Sequence, residues 1–312
     1  MSGTAQASES GFVRAIKRRA LLRSGAGAAV VAATFPAATQ LRTPTSYGTP
    51  TPLGLHMTEQ VASSLDAYAR GVAAMRALPS TDRRSWEFWA NIHNKYCPHG
   101  NWYFLPWHRA FLVGLENMIR SLIGQPDFAL PYWDWTNNPR LPEAFTALTW
   151  NGQANPLRDT TRRASPTATL PEEMVGRTVM DTIYGITDFA LFGTSQPTGQ
   201  NSLATSWQRQ RGIYGLLEAT PHNTVHNWIG GNMPTMRSPR DPLFYVHHAN
   251  CDRIWFNWIS LGNANPSNTL WRDFQFKSNF VRPTTALYSV RVRELLNIST
   301  QGYRYEQSEG MV

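Results

Sequence analysis

The chain has 312 residues, enough for one large or two small domains with a sizeable core, and this length excludes a short stapled scaffold. It is 42% hydrophobic, 12% aromatic with 12 Trp, and only 16% charged; this balance excludes a disordered or coiled-coil chain, and two cysteines cannot make a disulfide framework. The net charge of +8 would ordinarily suggest nucleic acid, but half of it comes from Arg14, Lys17, Arg18, Arg19 and Arg23 set against Glu9; no Lys/Arg run follows, so no nucleic-acid partner is expected.

Along the chain, the basic stretch Arg14 to Arg23 precedes an apolar stretch, Gly25 to Phe35, and then Pro36, Ala37 and Ala38. This is the three-part plan of a signal peptide over residues 1–38. Arg18-Arg19 before Ala20-Leu21-Leu22 resembles a twin-arginine export signal, which predicts an exported protein, periplasmic or extracellular. No segment is apolar over a long enough run to span a bilayer, so no membrane partner is expected. Residues 39–55, rich in Thr, Pro and Gly, read as a linker or surface arm, and residues 56–312 as the main globular domain.

A helix is predicted from Thr58 to Leu78, with Val61, Leu65, Tyr68, Val72 and Met75 at helical spacing before Pro79. Ser80, Thr81 or Asp82 is the expected cap of a second helix carrying Trp86, Trp89, Ala90 and His93 on one face. Residues 106–123 start with Pro in the first turn and continue as a buried helix. From about 136 to 210 the composition predicts long surface excursions with short helical pieces, one near Glu172 to Tyr184. Further helices are predicted from Gly212 to Trp228, stopping at Gly230-Gly231, and from Asp241 or Pro242 to Leu261, stopping at Gly262. Tyr288 to Val292 and Gly302 to Tyr305 are expected as short strands or extended arms. The fold class is mainly α: a four-helix bundle with long loops and few short strands.

Seven of the 8 histidines form two clusters, His93, His99 and His108, then His222, His226, His247 and His248; His56 stands apart. His222 and His226 lie four apart, so both imidazoles project from one helix face and can bind one ion. His248, read as beginning a helix, can bring a third nitrogen from opposite. His93 near one helix end and His108 near another's start do likewise, with His99 from the connecting loop. Bundle cores often hold metals this way. Di-iron bundles use Glu-x-x-His pairs, which are missing at the expected places. Doubled zinc sites without bridging carboxylates are unusual, whereas imidazole-only ligation suits copper, so two copper ions are the expected cofactor.

The run from His99 to Leu112, the run PYWDW from Pro131 to Trp135, the pair PHNTVH from Pro221 to His226, and the run from Asp241 to Trp255 resemble the tyrosinase common central domain. The resemblance covers roughly residues 56 to 307. It implies a type 3 dicopper centre with His93, His99 and His108 on the first copper and His222, His226 and His248 on the second, His247 standing outside the ligand set. It implies O2 and phenolic small molecules as reactants: o-hydroxylation of monophenols and oxidation of o-diphenols to o-quinones, the chemistry of melanin formation. Family positions are matched by Glu218, a water-positioning carboxylate, and Asn223, an amide, which together would deprotonate an incoming monophenol; phenol ionises near pH 10, and phenolate is the copper ligand. The alternative for Glu218 is a role limited to backbone or Arg contacts.

Cys97-Pro98-His99 has the spacing of the cysteine-to-histidine thioether of some relatives; a free buried thiol is the alternative. Met233 to Met236 matches a gatekeeper region over the second copper, with Thr235 nearest by count. Asn250 is read as supporting a ligand, Asp252 and Arg253 as helix anchors, and Cys251 as a small packed residue. Two departures stand out. Only five residues separate His93 from His99, and the chain ends soon after Tyr303-Arg304-Tyr305, which resembles the motif closing the catalytic domain. The latter predicts that no inhibitory carboxy-terminal domain follows, so that the enzyme folds active or relies on a separate copper-loading helper protein. Alternative readings are a catechol oxidase or o-aminophenol oxidase without monophenolase activity, and a haemocyanin-like oxygen carrier.

Overall fold

The computed structural model describes residues 59–305, so the expected signal, the linker and His56 lie outside the described residues. Helix α1 (Glu59–Ala77) buries Leu65, Tyr68, Val72 and Met75, the stripe its periodicity predicts. The Tyr68 hydroxyl donates to the Pro242 carbonyl at 2.8 Å and ties this helix to the start of a distant one.

Helix α2 (Trp86–Tyr96) is capped by Ser85, whose side chain accepts from the Phe88 N–H, and not by Ser80, Thr81 or Asp82. Asp82 instead holds a tight turn, accepting from the Arg84 N–H at 2.8 Å and pairing with its guanidinium at 2.7 Å. Helix α3 (Phe104–Ile123) has Pro106 in its first turn, is apolar on almost every face, and ends at the left-handed Gly124. Its near-continuous burial makes it the central element of the core, packed on α1 and on the later helix Leu243–Ser260.

The excursion is irregular as expected. It holds strands β1 (Thr149–Trp150) and β2 (Gln153–Ala154), paired antiparallel, and helices α4 (Glu172–Val175), α5 (Arg177–Gly185) and α6 (Phe189–Phe192). The single helical piece expected near Glu172 to Tyr184 is thus split at Gly176.

The helix expected from Gly212 requires correction. Helical geometry begins at 216, breaks at Thr220 (φ −150, ψ 113), resumes at Pro221 and ends in α7 (Thr224–Ile229). The reason is close approach. A Cβ at Gly212 would come within 2.4 Å of the Gln196 carbonyl oxygen, and one at Gly215 within 2.6 Å of the Gly193 backbone, so this stretch lies as an extended crossing against 193–196. Pro221, lacking an N–H, starts the new helix and leaves His222 and His226 on one face.

Helix α8 (Leu243–Ser260) follows Asp241, whose carboxylate accepts from the Leu243 N–H and forms a two-pronged pair with Arg162 at 2.6 and 2.7 Å. His248 therefore lies in the second turn of α8 and does not begin it. After α9 (Thr269–Arg272), β3 (Gln275–Val281) pairs antiparallel with β4 (Leu287–Arg291), Phe276 opposite Val290 and Phe280 opposite Tyr288. β3 was not anticipated. It buries Phe276, Phe280 and Val281. The 302–305 segment is an extended arm whose Tyr303 and Tyr305 hydroxyls both donate to Asp252, at 2.6 and 2.9 Å. Asp252 also pairs with Arg109 across α3 and α8 at 2.6 Å, which gives it the anchoring role expected of it. Among the described residues no helix is long and apolar enough to cross a membrane.

Candidate metal centre

Four helical segments and one loop deliver the histidines. His93 comes from the last turn of α2, His99 from the loop that follows, His108 from α3, His222 and His226 from the helix opened by Pro221, and His247 and His248 from α8. They fall into two groups whose donor atoms lie within 4.8 Å of one another: His93, Cys97, His99 and His108, then His222, His226, His247 and His248. The groups adjoin. The His108 and His248 rings stack at 4.0 Å and those of His99 and His222 at 5.9 Å.

Backbone carbonyls fix the ring orientations. Nδ1 of His93 faces the Met236 carbonyl at 2.7 Å, that of His108 the Phe104 carbonyl at 2.9 Å, and that of His226 the Met233 carbonyl at 2.6 Å. His222 Nδ1 faces the Glu218 carbonyl and the Asn223 carboxamide oxygen at 3.3 and 3.1 Å. A carbonyl only accepts, so these Nδ1 atoms carry the protons and each Nε2 keeps its lone pair. The His222 and His226 Nε2 atoms converge on His248 Nε2 at 3.2 and 3.3 Å, while His93 Nε2 is buried with no hydrogen-bond partner.

Burial drives every one of these rings toward the neutral form: His93 is lowered to about 3, His226 to about 4, and His99, His108, His222, His247 and His248 well below the ordinary histidine value. Buried Nε2 atoms brought together with no carboxylate in either group are poorly matched without a cation among them. The donor set fits two ions that favour imidazole, as copper does. His247 lies within the second group, but its ring packs against Trp135 at 4.8 Å and it is absent from the three-way convergence of Nε2 atoms.

The remaining candidates divide. Asn223 orients His222 and lines a cleft of about 590 Å³, counted out to solvent, that opens onto His99, His222 and His226. Met233 and Thr235 also line it, Thr235 exposed at its edge. Glu218 does not line it. Fully buried, its carboxylate accepts from the Gly100 N–H at 2.7 Å and the Thr194 hydroxyl at 2.5 Å, and burial pushes its carboxyl up to about 8 against those hydrogen bonds. Asn250 accepts from the Arg253 Nε–H at 2.8 Å. Cys97 Sγ lies 3.8 Å from His99 Nε2 and 3.4 Å from His108 Nε2.

Sequence reasoning missed Thr194, the Met233 and Met236 carbonyls, and two residues of the cleft, Arg211 and Tyr214. None carries a periodic or spacing signal.

The model of the common central domain of tyrosinase matches residues 73–182 and 149–261. The chain belongs to the tyrosinase family. It is similar to polyphenol oxidase A1, chloroplastic, of Vicia faba, 30% identical over 283 residues that cover 78% of this chain and 45% of the relative. Similarity to (+)-larreatricin hydroxylase, chloroplastic, of Larrea tridentata is 30% over 292 residues, 78% of this chain and 47% of the relative. The chain therefore spans about half the length of the curated relatives it matches. Among solved structures, the Grenache (Vitis vinifera) polyphenol oxidase superposes with a TM-score of 0.71 at 27% identity, covering 89% of this chain and 92% of that one. Tyrosinase-family proteins are type 3 dicopper proteins, and the two histidine groups could hold the two copper ions.

Proposed function

We propose that this tyrosinase-family protein is an exported copper-dependent phenol oxidase that o-hydroxylates monophenols and oxidises o-diphenols to o-quinones with O2. The observation that carries this reading is the convergence of the buried His222, His226 and His248 Nε2 atoms, with main-chain carbonyls facing Nδ1 of His222 and His226. His93, His99 and His108 would hold one copper, and His222, His226 and His248 the other. Bound copper supplies the one-electron redox steps and O2 activation that an imidazole cage cannot.

The chain's own residues do the rest. Met233 and Met236 carbonyls hold two rings in one tautomer; the cleft admits a planar ring to His99, His222 and His226; and Asn223 stands beside His222 at its floor. An open cleft at the histidines favours an enzyme over an oxygen carrier. Glu218 is the proposed acceptor of the phenol proton. A second reading, catechol oxidase, is favoured by one observation: both Glu218 oxygens are already engaged by Gly100 and Thr194.

Metal analysis with oxygen uptake on tyrosine, catechol and an o-aminophenol separates these. Two coppers per chain with tyrosine turnover is the expected result. Turnover of catechol alone supports the second reading, and oxygen binding without turnover defeats both. The Cys97–His99 thioether is part of the proposal; mass spectrometry of the peptide holding both residues should find no thiol that alkylates.

A further inference from the structure

Resting on the phenol-oxidase reading, we propose that Arg211 selects phenols and catechols that carry a carboxylate. The cleft in front of the histidines is lined by Arg211 and no Asp or Glu, so among the described residues this guanidinium is the one formally charged side chain of its lining. Arg211 is exposed, and its side chain has no hydrogen bond or ion pair among the described residues.

The acid that senses it, Glu218, is buried and already satisfied by the Gly100 N–H and the Thr194 hydroxyl. Arg211 and the aromatic Tyr214 line the cleft together, and the cation offsets part of the upward push that burial gives this phenol. Tyr214 lies over Gly100, within 3.1 Å of where a Cβ there would sit, and so walls the entry beside His99. Met233, Pro234 and Met236 line the same cleft.

The cleft thus offers a ring-sized space lined by imidazoles, Tyr214, Met233 and Met236, by the neutral polar Asn223, Asn227, Thr235 and Ser238, and by one unpaired cation. An aromatic ring fills the space, and a single monoanion matches the cation. A carboxylate does this with two parallel hydrogen bonds, whereas a phosphate dianion would leave a charge unmatched.

The test uses the copper-loaded full chain and two substrates that differ only in charge, 3-(3,4-dihydroxyphenyl)propionate and its methyl ester. The reading is the kcat/KM ratio of acid to ester in the wild type divided by the same ratio in Arg211→Gln. The expected quotient is about fivefold, the upper end of a solvent-exposed ion pair, carried in KM and not in kcat. It should collapse toward one at ~1 M salt, where the screening length falls to about 3 Å, and Arg211→Lys, which keeps the charge without the fork, should retain only part of it. A quotient of one with both substrates turned over, or a quotient that salt leaves unchanged, overturns the inference alone. Turnover of neither substrate overturns the oxidase reading and the inference with it.

Discussion

Glu218 carries two opposed demands on one carboxylate. It must accept a proton if monophenols are substrates, yet it also bridges the His99 loop, through Gly100, and the 193–196 crossing, through Thr194. Glu218→Gln separates them. The amide keeps an acceptor for the Gly100 N–H and can donate to Thr194, so the bridge survives while the basic oxygen is lost. Monophenol turnover should fall by about 100-fold with catechol turnover changed far less, as measured by oxygen uptake. Equal loss on both would assign Glu218 to the bridge alone. Thr194→Val addresses the bridge: it strips a donor from a buried carboxylate and an acceptor from the Gly215 N–H, which lies 3.1 Å from that hydroxyl. A destabilisation of about 1 to 3 kcal/mol is expected in denaturant unfolding, largely rescued by Thr194→Ser.

At the scale of elements, the loop from Gly230 to Met236 links the two histidine groups, because its Met236 carbonyl orients His93 and its Met233 carbonyl orients His226. The sequence marked this loop through Gly230-Gly231 but could not mark its function, since any residue supplies a carbonyl. The same limit explains what else was legible. α1, α3 and α8 were readable from apolar spacing bounded by Pro and Gly, and the histidine groups from the i, i+4 pair and the clustering on those helices. The start of the His222 helix was not, because it is set by packing of Gly212 and Gly215 on a distant backbone. Glu218's partners, 118 and 24 residues away, were invisible for the same reason.

Helix α3 also holds a group with a readable pH signature. Burial raises the Glu116 carboxyl to about 7, outweighing Arg120 at 3.6 Å and the Leu130 N–H at 2.9 Å, and one of its oxygens has no hydrogen-bond partner. A carboxyl raised in the folded state binds its proton more tightly there than in the unfolded chain. Its contribution to stability is therefore complete below its ordinary value and is lost as pH rises through about 7. Glu116→Gln keeps the acceptor for Leu130 without the buried charge, and Arg120 keeps the Phe128 carbonyl at 2.6 Å. The variant should be more stable than the wild type at pH 8 by roughly 1 to 2 kcal/mol, the difference vanishing near pH 4 in urea titrations. A variant less stable at pH 8 would mean that the Arg120 pair outweighs desolvation.

Across the whole molecule, the two histidine groups come from residues 93–108 and 222–248, separated in sequence by the long irregular excursion. Two buried ion pairs help to bring them into contact: Arg109 with Asp252 joins α3 to α8, and Arg162 with Asp241 joins the excursion to the start of α8. Such pairs fix geometry more than they add stability, because desolvation offsets most of their attraction. Three ring nitrogens converge where His248 can share at most one proton, so the metal-free fold leaves at least one buried lone pair unmet, a further cost. Metal binding removes that cost and, because the cage exists only in the folded chain, stabilises it by mass action. At ~1,000 times Kd the gain is about 4 kcal/mol. For a domain of this size that raises Tm by roughly 10 °C. Calorimetry of metal-free and copper-loaded protein should read this rise, and His222→Ala combined with His248→Ala should lose a large part of it. An equal rise in that double variant would locate the copper away from the second histidine group, and no rise in the wild type would mean that these rings do not form a cage for it.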